Sequence, residues 1–348
     1  MRAATVSDQR DLFGAGAPAW TARAVGSGHG APPVSVPPAQ VDDTIVELGR
    51  ALPEKLHLGT SSWAFPGWAG IVYGESLPEP VLSREGLRAY SAHPVLTCAG
   101  IDRTFYAPLS ASELARYAAQ VPDKFRFVVK APALVTDAFI RGARGKPAGD
   151  NPRFLDAALT SAHFVAPCIE GLGAKAGPLV FQFSPLGRSI VRDPTHFAAR
   201  LRGFLEALPP GPLYAIELRD PGLLGAPLAA ALNATRARYC FGVHSRMPSV
   251  AAQAAALAAH APGPLVARWN LHAGYAYEAA KAHYAPFDRL VDEDPTTRAA
   301  LVARCQVALS GGHAAFLIAN NKAEGSAPLT LIKFAQAIVA GTASSGAS

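Results

Sequence analysis

A single (β/α)8 barrel of the α/β class is the fold this 348-residue sequence predicts, on three observations. Eight short apolar or β-branched runs recur along the chain, segments of helical periodicity separate them, and polar residues collect at the carboxyl ends of the runs. Alternating strand and helix patterns imply parallel strands joined by crossover helices. Eight such units match barrel closure, with an open doubly wound sheet as the alternative. No GxGxxG follows the first run, which weighs against a dinucleotide-binding sheet. A length prior of roughly 150 residues per domain would give two domains, but barrels routinely reach about 250 residues as one.

The elements follow in order. Residues 1–40 are rich in Ala, Gly, Pro and Ser with little periodicity, and read as a disordered or loosely attached extension. The barrel is expected over 41–340. Its strand runs fall at 56–63, 94–102, 125–131, 179–184, 213–220, 239–244, 265–272 and 314–321. Helical patterns occupy the gaps, as at 112–120, 151–169, 194–208 and 296–309. Residues 341–348 read as a flexible tail.

Polar residues at the ends of these runs carry the functional argument. Ser61, Asp102, Lys130, Gln182, Glu217 with Arg219, His244, Arg268 with Asn270, and Asn320 all sit there. In a barrel the carboxyl ends of the strands hold the active site. A charge inside an apolar strand costs several kcal/mol unless it is paired, so the recurrence at one end is informative. Alternation puts Glu217 and Arg219 opposite Tyr214, Ile216 and Leu218, and Lys130 opposite Phe125, Phe127 and Val129. Arg268, Asn270 and His272 likewise oppose Ala267 and Trp269. The polar set should point inward. Lys130, Glu217 and Arg268 come from odd strands and should share a layer, with Asp102, Gln182, His244 and Asn320 from even ones.

Composition narrows the class. Half the residues are hydrophobic, ample for a large core, and no stretch offers the roughly 18 uncharged apolar residues of a membrane span. The net charge of +6 mildly favours anionic partners, but the basic residues are scattered rather than blocked. Four cysteines without CxxC or zinc spacing read as small buried hydrophobes. No basic segment followed by an apolar run opens the chain, so a cytoplasmic location is expected.

Several segments, taken together, resemble the DUF72 (YecE-like) family of barrel proteins. They are Gly59-Thr60-Ser61-Ser62-Trp63 with Trp68 and Tyr73, then Thr104-Phe105-Tyr106, Phe125-Arg126-Phe127-Val128-Val129-Lys130-Ala131 and Val180-Phe181-Gln182-Phe183-Ser184-Pro185. Glu217-Leu218-Arg219 and Asn320-Asn321-Lys322-Ala323-Glu324-Gly325-Ser326-Ala327-Pro328 complete the set. The resemblance implies the barrel fold and brings no assigned activity. It also exposes a departure. The family pattern has Val-Glu-hydrophobic-Asn before Thr-Phe-Tyr, where this chain reads Ala99-Gly100-Ile101-Asp102-Arg103, so a carboxylate is missing at Gly100.

Each candidate has a chemical and a plain structural reading. Lys130 could bind an anion, polarise a carbonyl or form a Schiff base; otherwise it pairs with Glu217 and closes the barrel. Glu217 is the leading acid/base candidate, or else it orients Arg219. Arg219 and Arg268 are forks suited to carboxylate or phosphate. His272 and His244 suit proton transfer, whereas His57 starts a strand and reads as structural. Lys322, with Ser326 as N-cap of the following helix, could hold an anion at that helix start, or the segment is an ordinary capped loop. Trp63, with Phe65, Trp68 and Tyr73, borders the mouth or packs beneath it, and Tyr106 stands near. No cofactor is evident; two histidines on different strands do not define a metal site and HExxH is absent.

The resulting expectation is a barrel enzyme acting on a small anionic, phosphorylated or sugar-like substrate. Lys130, Arg219 and Arg268 would bind or polarise it, with Asp102, Gln182, Asn270, His244 and Asn320 around it. Glu217 would work as acid/base, assisted by His272. Nucleic-acid phosphodiester chemistry is the alternative from the basic charge, and a non-catalytic binding or scaffold protein the alternative from Gly100. Oligomeric state is not legible.

Overall fold

The computed structural model describes residues 35–142 and 146–345. Eight parallel strands close a barrel: β1 (Leu56–Thr60), β2 (Cys98–Ile101), β3 (Arg126–Lys130), β4 (Ala176–Gln182), β5 (Tyr214–Glu217), β6 (Arg238–Val243), β7 (Leu265–Trp269) and β8 (Ala315–Ala319). Every strand pairs with its sequence neighbours. Closure is made by β1 on β8, from Leu56↔Ala315 to Thr60↔Ala319. The open-sheet alternative therefore does not hold.

Two apolar cores result from strand alternation. Phe127, Val129, Ile216 and Trp269 face outward and pack in the main core with helix residues such as Leu201, Leu232 and Phe334. Cys98, Val128, Val180, Ala215, Cys240, Val266, Phe316 and Ile318 form a separate cluster that fills the barrel. All four cysteines are buried free thiols, two of them in this inner cluster. His57 stacks on Phe316 at 4.7 Å, and burial pushes it down to about 4, as a structural residue at the amino end. The inner cluster plugs the barrel below the level at which Lys130, Gln182, Glu217 and Arg268 appear one strand step later.

Several boundaries differ from the expectation, three of them with a bearing on the argument. Residues 37–39 are attached to the barrel, with Gly74 N–H donating to Pro37 O and Ala39 N–H to Val72 O; residues 1–34 lie outside the described residues. The last helix runs Ala327–Ser345, so the expected tail is helical up to Ser345, its alanines being strong helix formers. The seventh strand stops at Trp269 rather than 272, and an antiparallel hairpin (Phe139–Arg141 with Pro147–Asp150) interrupts the connection after β3. Among the described residues no helix is long and apolar enough to cross a membrane.

Candidate functional site

A buried ion network forms the floor of the site. Glu217, wholly buried at the end of β5, accepts from Arg268 Nη1 at 2.9 Å and from Asn270 Nδ2 at 3.0 Å, and pairs with Arg219. Arg268 donates its other terminal nitrogen to Asp102 Oδ2 at 2.5 Å. Gln182 Oε1 accepts from Arg219 at 3.2 Å and Arg268 at 3.3 Å. Room for this network comes from Gly242 on β6, where a Cβ would lie 3.0 Å from Arg219 Nη1 and 3.1 Å from Glu217 Oε1. Burial pushes the Glu217 carboxyl up, but Arg219, Arg268 and Lys130 outweigh it and hold the group at about 2. Glu217 is a fixed anion with both oxygens engaged.

Lys130 is the cation the network leaves over. It is 3% exposed, and among the described residues no carboxylate comes within ion-pair distance of it. Its Nζ lies 3.6 Å from the centre of the Phe105 ring. Burial lowers the amine to about 7, against the pull of Asp102. The alternative reading, an ion pair with Glu217, does not hold, because two arginines already occupy that carboxylate. The Thr-Phe-Tyr segment explains this placement. Thr104 Oγ1 donates to Ile101 O at 2.9 Å and contacts Lys130 O at 2.6 Å, tying β2 to β3. Phe105 then lies against the amine and Tyr106 emerges at the mouth.

Above this floor lies a small cavity of about 40 Å³, lined by Ser61, Asp102, Lys130, His244, Asn270 and Asn320, with Phe65, Tyr106, Glu79 and Tyr277 on its rim. That volume holds a few waters or one small functional group. Asn320 Nδ2 donates to Ser61 Oγ at 2.8 Å and its Oδ1 accepts from Lys322 N–H at 3.1 Å, which locks the amide. His244 Nδ1 accepts from Arg246 N–H at 3.1 Å, so Nε2 carries the proton. Burial, then Arg219, lowers His244 to about 3, and it stays neutral.

Other expected site residues are placed elsewhere. Arg219, Arg268, Gln182 and Glu217 lie in the floor, and their hydrogen bonds to one another leave them as support for the lining rather than part of it. His272 follows the end of β7, its Nδ1 accepting from Gly274 N–H at 3.2 Å and its ring against Tyr275, away from the lining. Lys322 is buried with its Nζ 4.2 Å from the Tyr277 ring, and burial, reinforced by Lys281, lowers it to about 7. Among the described residues the Ser326 hydroxyl has no hydrogen-bond partner, and it does not cap the last helix. Asn321 Oδ1 takes that role, accepting from Ala327 N–H at 2.8 Å and from Trp68 Nε1 at 3.2 Å. The helix start is buried. Trp63, Trp68 and Tyr73 are packed under the first loop, the Trp63 indole donating to Ser83 O at 3.3 Å. Glu79 and Tyr277 went unnoticed in the sequence because they enter from loop helices with no strand-end signal; burial raises the Glu79 carboxyl, with Lys281 opposing. A larger cavity of about 670 Å³ opens at the amino end, between the loops 209–213 and 261–264, where barrels keep residues for stability. Among the described residues no three His, Cys, Asp or Glu side chains gather as metal ligands.

The family model described as "Protein of unknown function DUF72" matches residues 57–346. The chain belongs to the DUF72 family. Two solved DUF72 family structures are similar to it, from Enterococcus faecalis (18% identity, 81% of this chain and 95% of that one, TM-score 0.52) and Thermotoga maritima (18% identity, 81% and 98%, TM-score 0.52). At that identity they bear on the fold alone. No curated protein matches the chain.

Gly100, where the family resemblance implies a carboxylate, is sterically crowded. Gly100 faces the barrel interior beside Ser61, and a Cβ there would stand 3.0 Å from Ser61 Cα and 3.2 Å from its carbonyl oxygen. Gly100→Glu is therefore expected to lower stability by roughly 1–3 kcal/mol, measured by urea unfolding. A variant as stable as the parent would remove the crowding argument and leave the missing carboxylate unexplained.

Proposed function

We propose that this DUF72 protein is an enzyme that takes a small anionic group into the cavity above Lys130 and uses that amine for proton transfer. The observation that carries the reading is Lys130 itself. It is a buried cation at the carboxyl end of a barrel strand, lining a cavity, in a network whose carboxylates are committed to arginines. An incoming anion would supply its missing counter-charge, while Ser61 offers its hydroxyl, Asn320 the remaining hydrogen of its amide and His244 an Nε2–H donor. An amine at about 7 is matched to giving and taking protons at neutral pH. Glu217, held as an anion, orients Arg219, Arg268 and Asn270; the proton-transfer role passes to Lys130.

A thermal-shift screen of phosphorylated metabolites, free sugar acids and divalent metals tests this. A ligand at about 100 times its Kd adds roughly 2.7 kcal/mol of stability. The expected result is an anion whose shift is present in the parent and absent in Lys130→Met. Shifts equal in both proteins would sink the reading. Salt-dependent DNA binding with no small-molecule hit would favour phosphodiester recognition instead.

A further inference from the structure

We infer that Lys130 forms a covalent imine with the carbonyl carbon of a small aldehyde or ketone acid, an inference that rests on the anion-pocket reading above and names its substrate class. The geometry separates Lys130 from a lysine kept as a point charge. Such a lysine is normally solvated or paired with a carboxylate; here Nζ has an aromatic face 3.6 Å away and the nearby acids are taken by Arg268 and Arg219. The amine is also among the groups lining the cavity, which is small enough to present a carbonyl to it rather than a bulky group. Desolvating an amine is how lysine nucleophiles are activated.

The step balances without a redox partner. The Nζ lone pair attacks the carbonyl carbon, a C–N bond forms, and the C=O π pair moves to oxygen, which takes a proton. The nitrogen then gives up a proton, the hydroxyl takes another, the C–O bond breaks with loss of water, and the iminium remains. In sum, amine, carbonyl and one proton from solvent give iminium and water. The iminium places its positive charge where the ammonium charge stood, over the Phe105 ring, so the cation–π contact survives the chemistry. The carboxylate of a ketone acid would accept from the Ser61 hydroxyl, the remaining hydrogen of the Asn320 amide and His244 Nε2–H, all on residues that stand around the same cavity.

The test is reductive trapping of the whole protein. Glyoxylate, pyruvate and glyceraldehyde are each incubated with it and cyanoborohydride at neutral pH, then intact mass and peptide mapping locate the adduct. About half of an amine titrating near 7 is unprotonated there, against roughly one in 2,500 for an ordinary lysine. Labelling of Lys130 is therefore expected to exceed that of any exposed lysine by on the order of 10²-fold. It should vanish in Lys130→Met and Lys130→Arg, and persist in Lys322→Met, whose amine is equally buried but lies outside the cavity. Adduct spread over surface lysines and unchanged in Lys130→Arg overturns the inference. Lys130→Arg also separates the two readings, because it keeps the charge and cannot form the imine. Lys130-dependent anion shifts without any adduct would end the imine and leave the pocket reading standing. Neither shift nor adduct from a protein that melts cooperatively would end both.

Discussion

Glu217→Gln is expected to destabilise the barrel by about 3–5 kcal/mol, the cost of removing one partner from a buried ion pair. The substitution is nearly isosteric, so the loss does not come from packing. It comes from leaving Arg219 and Arg268 buried with only Asp102 and the Gln182 carbonyl as anionic or dipolar partners. The effect should depend on pH in one direction. Glu217 has its carboxyl lowered from an ordinary 4.5 to about 2 in the folded protein, chiefly because Arg219 and Arg268 outweigh the opposing effect of burial. Such a group contributes stability that is complete above 4.5 and is lost as pH falls towards 2. The parent should therefore show an acid limb in this window that Glu217→Gln lacks. Urea unfolding of both proteins between pH 3 and 7 reads it. A variant within 1 kcal/mol of the parent at pH 7, or curves that stay parallel into acid, would mean that the network does not depend on this carboxylate.

The same residue shows what is legible in the sequence. Strand alternation was enough to turn Lys130, Glu217 and Arg268 inward and to place them at one end, because parity is a property of the backbone. Parity does not reveal which inward charges satisfy one another. Arg268 and Arg219 read as ligand forks from the sequence, yet Gly242 opens the space in which they close on Glu217 instead. The inward direction that parity gives His272 fails for a related reason. Counting every second residue fails once β7 ends at Trp269 and the backbone turns. Ser326 had the right type for an N-cap, but Asn321, five residues earlier, reaches the Ala327 N–H first. Glu79 and Tyr277 enter from the connections after β1 and β7, which have no period from which a direction could be read. What the pattern does carry well is the barrel, its polar end and the inward lysine.

Lys130→Met should do two opposite things, abolish ligand binding and adduct formation while making the protein more stable. Holding a buried amine at about 7 instead of 10.5 costs roughly 4–5 kcal/mol at low pH, at about 1.36 kcal/mol per pH unit. Methionine removes that cost, fills nearly the same volume and can keep a sulfur–aromatic contact with Phe105, giving up only the cation–π term of about 1–2 kcal/mol. The net gain is roughly 2–4 kcal/mol below pH 7. Its pH dependence follows from the sign of the shift. Between 7 and 10.5 the unfolded chain binds the proton and the folded chain does not, so parental stability rises with pH there. The advantage of Lys130→Met should then shrink across that window, while the slope due to Lys322 remains in both proteins. Asp102, Glu217, Arg268 and Arg219 face the amine, and none of them is altered by the substitution. Thermal and urea melts at pH 6 and pH 10 decide it. A variant less stable than its parent at pH 6, or an advantage equal at both values, would show Lys130 to be a satisfied structural cation. It would then have no reason to be held out of water at the floor of a cavity. A more stable protein that has lost its ligand has the signature of a site maintained at the expense of the fold.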